Sequence, residues 1–199
     1  MLPVKSKYKI AKRLGASVFE QTQTQKFALS EARTKKPMRR GGSDFGRQLL
    51  EKQKVRFTYG ISERQLSNYA FDAMTTPDPS GTLHRSLETR ADTAAYRAGF
   101  AGTRRAARQA VSHGHITVNG RRITTPSYRL KKGDVLAIRE GSRKSPLYAG
   151  LTDSESTRSV PHWLSVDLSV LKAEVTGEPQ YSGAEVGLDY ATVFEFYSR

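Results

Sequence analysis

The chain has 199 residues, of which 33 are Lys or Arg and 19 are Asp or Glu, for a formal net charge of +14. Hydrophobic residues make up only 37%, which fits small cores with solvated or partner-bound segments and points to a polyanion, either nucleic acid or an acidic membrane surface. The absence of cysteine excludes a disulfide framework, Cys-ligated zinc and a thiol nucleophile. No apolar stretch reaches the length of a membrane span, and Lys5, Lys7 and Lys9 precede no secretory apolar region, so a soluble intracellular protein is expected.

The charge is unevenly laid out. Residues 1–60 carry +11, residues 61–150 carry +8 and residues 151–199 carry −5. The acidic end is therefore expected to pack on protein rather than on nucleic acid.

In chain order, residues 1–42 read as an extended basic arm. Lys26, Arg33, Lys35, Lys36, Arg39 and Arg40 are scattered without helical apolar periodicity, and Pro37 with Gly41-Gly42 closes the segment; Lys7, Lys9, Lys12, Arg13, Lys35, Lys36, Arg39 and Arg40 are expected to bind RNA. Residues 43–82 form the helical part of an N-terminal domain. Ser43-Asp44 is set to cap a helix carrying Phe45, Leu49 and Leu50, and Ser62-Glu63-Arg64-Gln65 has the form of a capping box. Thr75 to Gly81 then breaks the pattern.

Residues 83–145 form a small module. Leu83, Leu87, Ala91, Ala94, Ala95 and Ala98 give one helical stripe ending at Gly99, and Thr103 caps a second helix, Arg104 to His113. Ile116-Thr117-Val118 alternates as a strand, Asn119-Gly120 is a two-residue hairpin signal, and Lys131 to Asp134 turns into a strand over 135–138. Two short helices on a small antiparallel sheet make an α+β module. Residues 146–199 form a C-terminal segment expected to complete or dock on the N-terminal domain. In it, Val166 to Leu171 reads as strand or helix, Thr192 to Tyr197 alternates as a strand, and Trp163 reads as core.

Nothing assembles a catalytic constellation. There is no nucleophile elbow, P-loop or dinucleotide fingerprint, and four histidines without a carboxylate cluster argue against metal even at His113-Gly114-His115. The helix from Arg104 instead suits RNA. Arg104, Arg105 and Arg108 are placed as phosphate clamps, and Gln109, Ser112, His113, His115 and Asn119 as neutral donors for sugar and backbone; Arg121, Arg122, Arg129, Lys131 and Lys132 surround them. Arg90 joins this set. A second patch is expected from Arg47, Lys52, Lys54, Arg56 and Arg64, while Tyr59 and Tyr8 either stack on bases or pack internally.

The stretches Tyr96 to Ala101 and Ala107 to Gly120, continued by Pro126-Ser127-Tyr128 and Lys132-Gly133-Asp134, resemble the S-four RNA-binding module. Ser43-Asp44-Phe45-Gly46, Glu51 to Lys54, Tyr59-Gly60 and Glu63-Arg64-Gln65 are similar to the N-terminal domain of the bacterial-type small (30S) ribosomal subunit protein four family, and Glu195 to Arg199 to its C-terminus. The resemblance implies a non-enzymatic structural constituent of the small ribosomal subunit in the cytoplasm. It implies a primary binder of a multi-helix junction in the 5′ domain of 16S rRNA that nucleates assembly. It also implies a neighbour in ribosomal protein five and an influence on translational accuracy near the mRNA entry path. No membrane, small-molecule substrate or cofactor is implied. The zinc cysteines of some relatives are replaced here by Lys7-Tyr8-Lys9-Ile10-Ala11-Lys12, as in a zinc-free variant, and Ala91 stands where a leucine is usual. An RNA-modifying enzyme would need a catalytic domain that residues 1–80 and 145–199 do not offer, and a membrane-surface protein would need larger apolar helix faces than Ala106–Val111.

Overall fold

The computed structural model describes residues 4, 6–33, 43–148, 160–183 and 187–199, the side chains of residues 16 and 31 excepted. The chain divides into two units, Met1–Leu83 with Tyr181–Arg199, and His84–Gln180. It is α+β, with a small antiparallel sheet confined to the second unit.

The first unit is helical: α1 (Lys7–Leu14), two short 3-10 turns (Ala16–Val18, Glu20–Thr22), α2 (Gln25–Arg33), α3 (Asp44–Tyr59) and α4 (Glu63–Met74). Residues 7–33 thus differ from the extended arm that the sequence suggested. Ala11, Val18, Phe19 and Phe27 bury together against Ile10, Leu14 and Phe57, a small apolar cluster that offsets the cost of ordering so cationic a segment. Lys35, Lys36, Arg39 and Arg40 lie outside the described residues.

Local chemistry starts both long helices where the sequence placed them. The Ser43 hydroxyl accepts from the Gly46 N–H, and Ser62 and Gln65 close a reciprocal capping box at 3.2 and 3.4 Å. Ser62→Ala is expected to cost about 1 kcal/mol and Ser62→Gly only a few tenths. The shift in urea midpoint of the two variants checks this.

The C-terminal residues of this unit are a helix, not a strand. In Thr192 to Tyr197 an alternating and a three-to-four spacing coexist. The helix, α9 (Tyr190–Tyr197), uses the second, burying Tyr190 and Val193, and Asp189 caps it by accepting from Thr192. It packs on α3 and α4.

The stripe from Leu83 to Ala98, which passes into the second unit at His84, is broken into two helices, α5 (Pro79–Glu88) and α6 (Ala91–Arg97). The interruption comes from the loop after the hairpin. Leu130 donates to the Thr89 carbonyl at 2.8 Å, and Ala91 and Asp92 donate to the carbonyls of Tyr128 and Pro126. The backbone groups that would have continued the helix are committed to that loop. Thr103 then caps α7 (Arg104–Ser112), accepting from Ala106 at 3.1 Å.

Strands β1 (Ile116–Val118) and β2 (Arg121–Arg122) form the expected hairpin, with Asn119 and Gly120 at φ of 50° and 78°. Such positive φ values at both turn positions suit asparagine and glycine and match the twist of the flanking strands. Next come β3 (Val135–Ile138), α8 (Glu140–Arg143), β4 (Leu164–Asp167) and β5 (Lys172–Val175), in the sheet order β2-β1-β3-β5-β4. Residues 164–175 therefore extend this sheet, pairing Leu136 with Ala173 and Val166 with Ala173, and correct the expectation that the segment from 146 docks wholly on the N-terminal domain. Their alternate burial, Ala173 and Val175 inward and Lys172 and Glu174 outward, makes the pairing worthwhile. Phe100, Ala107, Val111, Ile116, Leu136 and Trp163 meet in one core.

Candidate nucleic-acid interface

The second unit separates its charges. No Asp or Glu occurs between Asp92 and Asp134, and the two acids before that gap, Glu88 and Asp92, are 1% and 2% exposed. On the surface, α7 turns Arg105, Ala106, Gln109, Ser112 and His113 outward, beside exposed Arg121, Arg122, Arg129, Lys131 and Lys132. Of the exposed acids among the described residues, Asp167, Glu174 and Glu178 lie on or just beyond β4 and β5, at the other end of the sheet from the two arginines of β2, and Glu140 opens α8 after β3. A cationic side with a small residue at its centre lets a polyanionic backbone come close to the helix.

The arginines of α7 divide by face. Arg104 and Arg108 turn partly inward, with side chains 16% and 15% exposed. Arg108 donates from Nε to Asp92 at 2.7 Å, and Arg104 lies 3.8 Å from Glu88 and 4.6 Å from the centre of the Tyr96 ring. Glu88 also accepts two parallel bonds from Arg97 at 2.8 and 2.9 Å. Burial pushes the Glu88 carboxyl up, but the Arg97 hydrogen bonds and the charges of Arg97 and Arg104 outweigh it and hold its pKa at about 2. Nearby His84 is buried and its pKa lowered, chiefly by desolvation. Only Arg105, of the three proposed clamps, stands on the exposed face.

Arg90 is 1% exposed, and its guanidinium is engaged by both oxygens of Asp92 at 3.0 Å. A group so enclosed cannot reach a phosphate, so its assignment to the interface is corrected: Arg90 braces the start of α6. Asn119 uses its amide to hold the turn, donating to Asp134 and accepting from Val135, both at 2.8 Å. His115 is half-buried with Nδ1 2.9 Å from the Ser142 hydroxyl, whereas His113 is exposed. Gly114, at φ +72°, lies under Arg122; a Cβ there would sit 2.0 Å from Arg122 Nε. This close passage lets Arg122 donate to the His113 carbonyl at 3.1 Å and lie along the α7 face.

In the first unit the expected second patch is thinner. Lys52 is 6% exposed, donates to Glu63 at 2.8 Å and rests 4.2 Å from the Phe196 ring centre. Burial works against the Glu63 carboxylate, yet bonds from Lys52 and Tyr197 keep its pKa below normal. Arg56 is half-buried, 3.8 Å from the same carboxylate, and Lys54 lies 3.6 Å from Glu51. Tyr59 is buried with its hydroxyl 3.3 Å from that of Tyr190, which settles it as core and corrects the stacking role. Arg47, paired with Asp44, and Arg64 are exposed, as are Lys9, Lys12 and Arg13 on α1, while half-buried Lys7 donates to Gln21. Tyr8 is 57% exposed, 6.0 Å from Phe27 between ring centres.

Sequence reading alone overlooked Glu88, Asp92 and Arg97. A partial signal was present: Arg104 and Arg108 are four apart on one helical face, but Glu88 and Asp92 fall on either side of a helix break and are brought to that face only by the fold. Among the described residues no group of three or more His, Cys, Asp or Glu is placed to hold a metal ion, and no helix is long and apolar enough to cross a membrane.

Comparison with known proteins places a family boundary a few residues from the start of the second unit. Residues 4–88 match the family model of the ribosomal protein S4/S9 N-terminal domain, and residues 89–136 match that of the S4 domain. The small ribosomal subunit protein uS4 of Roseiflexus sp. (strain RS-1) is 44% identical over 164 residues, covering 81% of this chain and 80% of that protein. The uS4 of Persephonella marina is 43% identical over 158 residues, 78% of this chain and 77% of that one. That of Borrelia recurrentis is 37% identical over 202 residues, 98% and 96% of the two chains.

Proposed function

The chain belongs to the small ribosomal subunit protein uS4 family, and from that premise we propose that it binds a multi-helix junction in the 5′ domain of 16S-type rRNA as a primary binder that nucleates subunit assembly. Its role is that of a structural ribosomal protein, not an enzyme, and its partners are rRNA and other proteins of the small subunit. In this reading it works in the cytoplasm within the subunit, beside protein five and near the mRNA entry path, where it contributes to translational accuracy. RNA and protein contact, with no metal or other cofactor, holds the basic N-terminal residues in place.

The observation that carries the reading is the strongly cationic outer surface of α7, the hairpin and residues 129–132, built from a run of sequence with no acid between Asp92 and Asp134. Arg105, Arg121, Arg122, Lys131 and Lys132 neutralise phosphates, while Gln109, Ser112 and His113 reach sugar hydroxyls and phosphate oxygens. Arg104 and Arg108 contribute from the inner edge of that surface. Arg47, Arg64, Lys9, Lys12 and Arg13 supply further contacts from the first unit. Shape supplies the specificity, because the deep major groove of A-form RNA is closed to side chains.

A gel-shift titration against the isolated 5′ domain of small-subunit rRNA, with tRNA as competitor, tests this. Binding that resists excess tRNA is expected. Equal affinity for both RNAs would leave only a nonspecific basic protein. Arg105→Glu is expected to weaken the specific complex by about 1.5–3 kcal/mol, as for a lost charge-assisted contact, with no change in melting temperature.

A further inference from the structure

Among the described residues Glu88 and Asp92 are the deeply buried carboxylates of the second unit, and no group of metal-ligating side chains there accounts for either. The acceptor sites of Asp92 are filled. Oδ1 accepts from Arg90 Nε and from the Thr93 backbone N–H, both at 3.0 Å, and Oδ2 accepts from Arg90 Nη2 at 3.0 Å and Arg108 Nε at 2.7 Å. Glu88 is gripped by Arg97, with Arg104 beside it. Four guanidinium groups therefore share two carboxylates, and the cluster keeps an excess of positive charge. Its least buried members are Arg97, Arg104 and Arg108, at 33%, 16% and 15%.

We propose that Asp92 is a positioning residue for RNA binding: its carboxylate, bonded to Arg108 Nε at 2.7 Å, holds that α7 arginine in one orientation, so that phosphate meets a donor whose rotamer freedom was given up on folding. This rests on the RNA-binding reading above. The Nε–H of Arg108 serves the carboxylate, and the planar five-donor fork is wide enough to serve an outer acceptor as well. A lysine in its place carries the same charge on one nitrogen at the end of a flexible stem and lacks the rigid, spread donors that serve two separated acceptors at once.

Simple electrostatics and positioning predict opposite signs. Removing an acid from a protein that binds a polyanion raises its net charge and should tighten binding. Loss of positioning should weaken it. Asp92→Asn is expected to lower affinity for the 5′ domain roughly three- to tenfold, the scale set by re-ordering a long side chain on binding. In an Arg108→Ala background the same substitution should have no weakening effect, because Asp92 acts through Arg108. Leu136→Ala, which opens the core of the same unit without touching the arginines, controls for general destabilisation and should leave affinity unchanged below its melting transition.

Unchanged or tighter binding by Asp92→Asn overturns the proposal, as does an effect that persists in the Arg108→Ala background. Should Asp92→Asn fail to fold, Arg108→Lys decides: a threefold or greater loss supports positioning, and wild-type affinity overturns it. If the wild-type chain bound tRNA as well as the 5′ domain, the rRNA reading would fail. The double-mutant cycle would then be run on tRNA, and its sign would still decide the role of Asp92.

Discussion

Glu88→Gln is expected to destabilise the second unit by about 3–5 kcal/mol at pH 7, the range for removing one partner of a buried ion pair. The side chain is 1% exposed, and the substitution leaves Arg97 and Arg104 facing a neutral amide in place of their anion. The pH dependence carries the same information. Folding lowers the Glu88 pKa from the ordinary 4.5 to about 2, so the unfolded chain takes up a proton first as pH falls. Stability from this carboxylate is fully present above about pH 4.5 and is lost progressively as pH falls toward 2. A shift of that size corresponds to about 3 kcal/mol, in line with the mutational expectation. His84 acts in the same direction, because burial holds it neutral and acid must charge it against that preference. Urea denaturation followed by far-UV circular dichroism at pH 7, 4 and 2.5 checks both statements. The gap between wild type and Glu88→Gln should be widest at pH 7 and shrink to about a quarter of that at pH 2.5. A constant gap would show that the anion is not what the cluster depends on.

Raising salt from 50 to 200 mM is expected to weaken the specific RNA complex by roughly 250- to 1,000-fold, if the six exposed cations around α7 each neutralise a phosphate. These are Arg105, Arg121, Arg122, Arg129, Lys131 and Lys132, and six released counterions give a log–log slope of about −4 to −5. Cations of the first unit steepen it. A filter-binding series in KCl at fixed magnesium reads the slope directly. Arg121→Gln with Arg122→Gln should flatten it by about 1.5 to 2, since both residues are exposed on the edge strand β2. A slope insensitive to those substitutions would move the interface away from this side of the sheet. The same argument limits what Lys52 can contribute. It is enclosed by Glu63 and the Phe196 ring, so Lys52→Gln should act on stability more than on the slope.

Part of the candidate site was legible in the sequence. Arg105, Gln109 and His113 are found outward on α7 because their spacing alone puts them on one helical face, opposite Ala107, Ala110 and Val111. Arg90 and Tyr59 were misjudged because a basic or aromatic residue in a basic region looks the same in sequence whether buried or exposed. The distinction lies in Asp92 for the first and Tyr190 for the second, and the latter partner is far along the chain. Arg104 and Arg108 are the intermediate case: their periodicity was visible, but the carboxylates that turn them inward come from preceding helices.

The sequence by itself determined the elements whose stabilising contacts span three or four residues. The Ser62–Gln65 capping box, the Thr103 cap, the Asn119-Gly120 hairpin and the acid-free run that makes one side cationic all belong here. Such features close on themselves, so the residues needed to predict them sit side by side. Tertiary structure decided the break between α5 and α6, which depends on Leu130 bonding to Thr89, and the entry of residues 164–175 into the sheet, which depends on β3. It also decided the helical form of Tyr190–Tyr197, where two periodicities compete and packing on α3 and α4 selects one. In each of these the deciding backbone bond or apolar contact comes from a distant part of the chain, and local propensity yields to it because an unsatisfied buried polar group or an exposed apolar face costs more than an unfavoured local conformation.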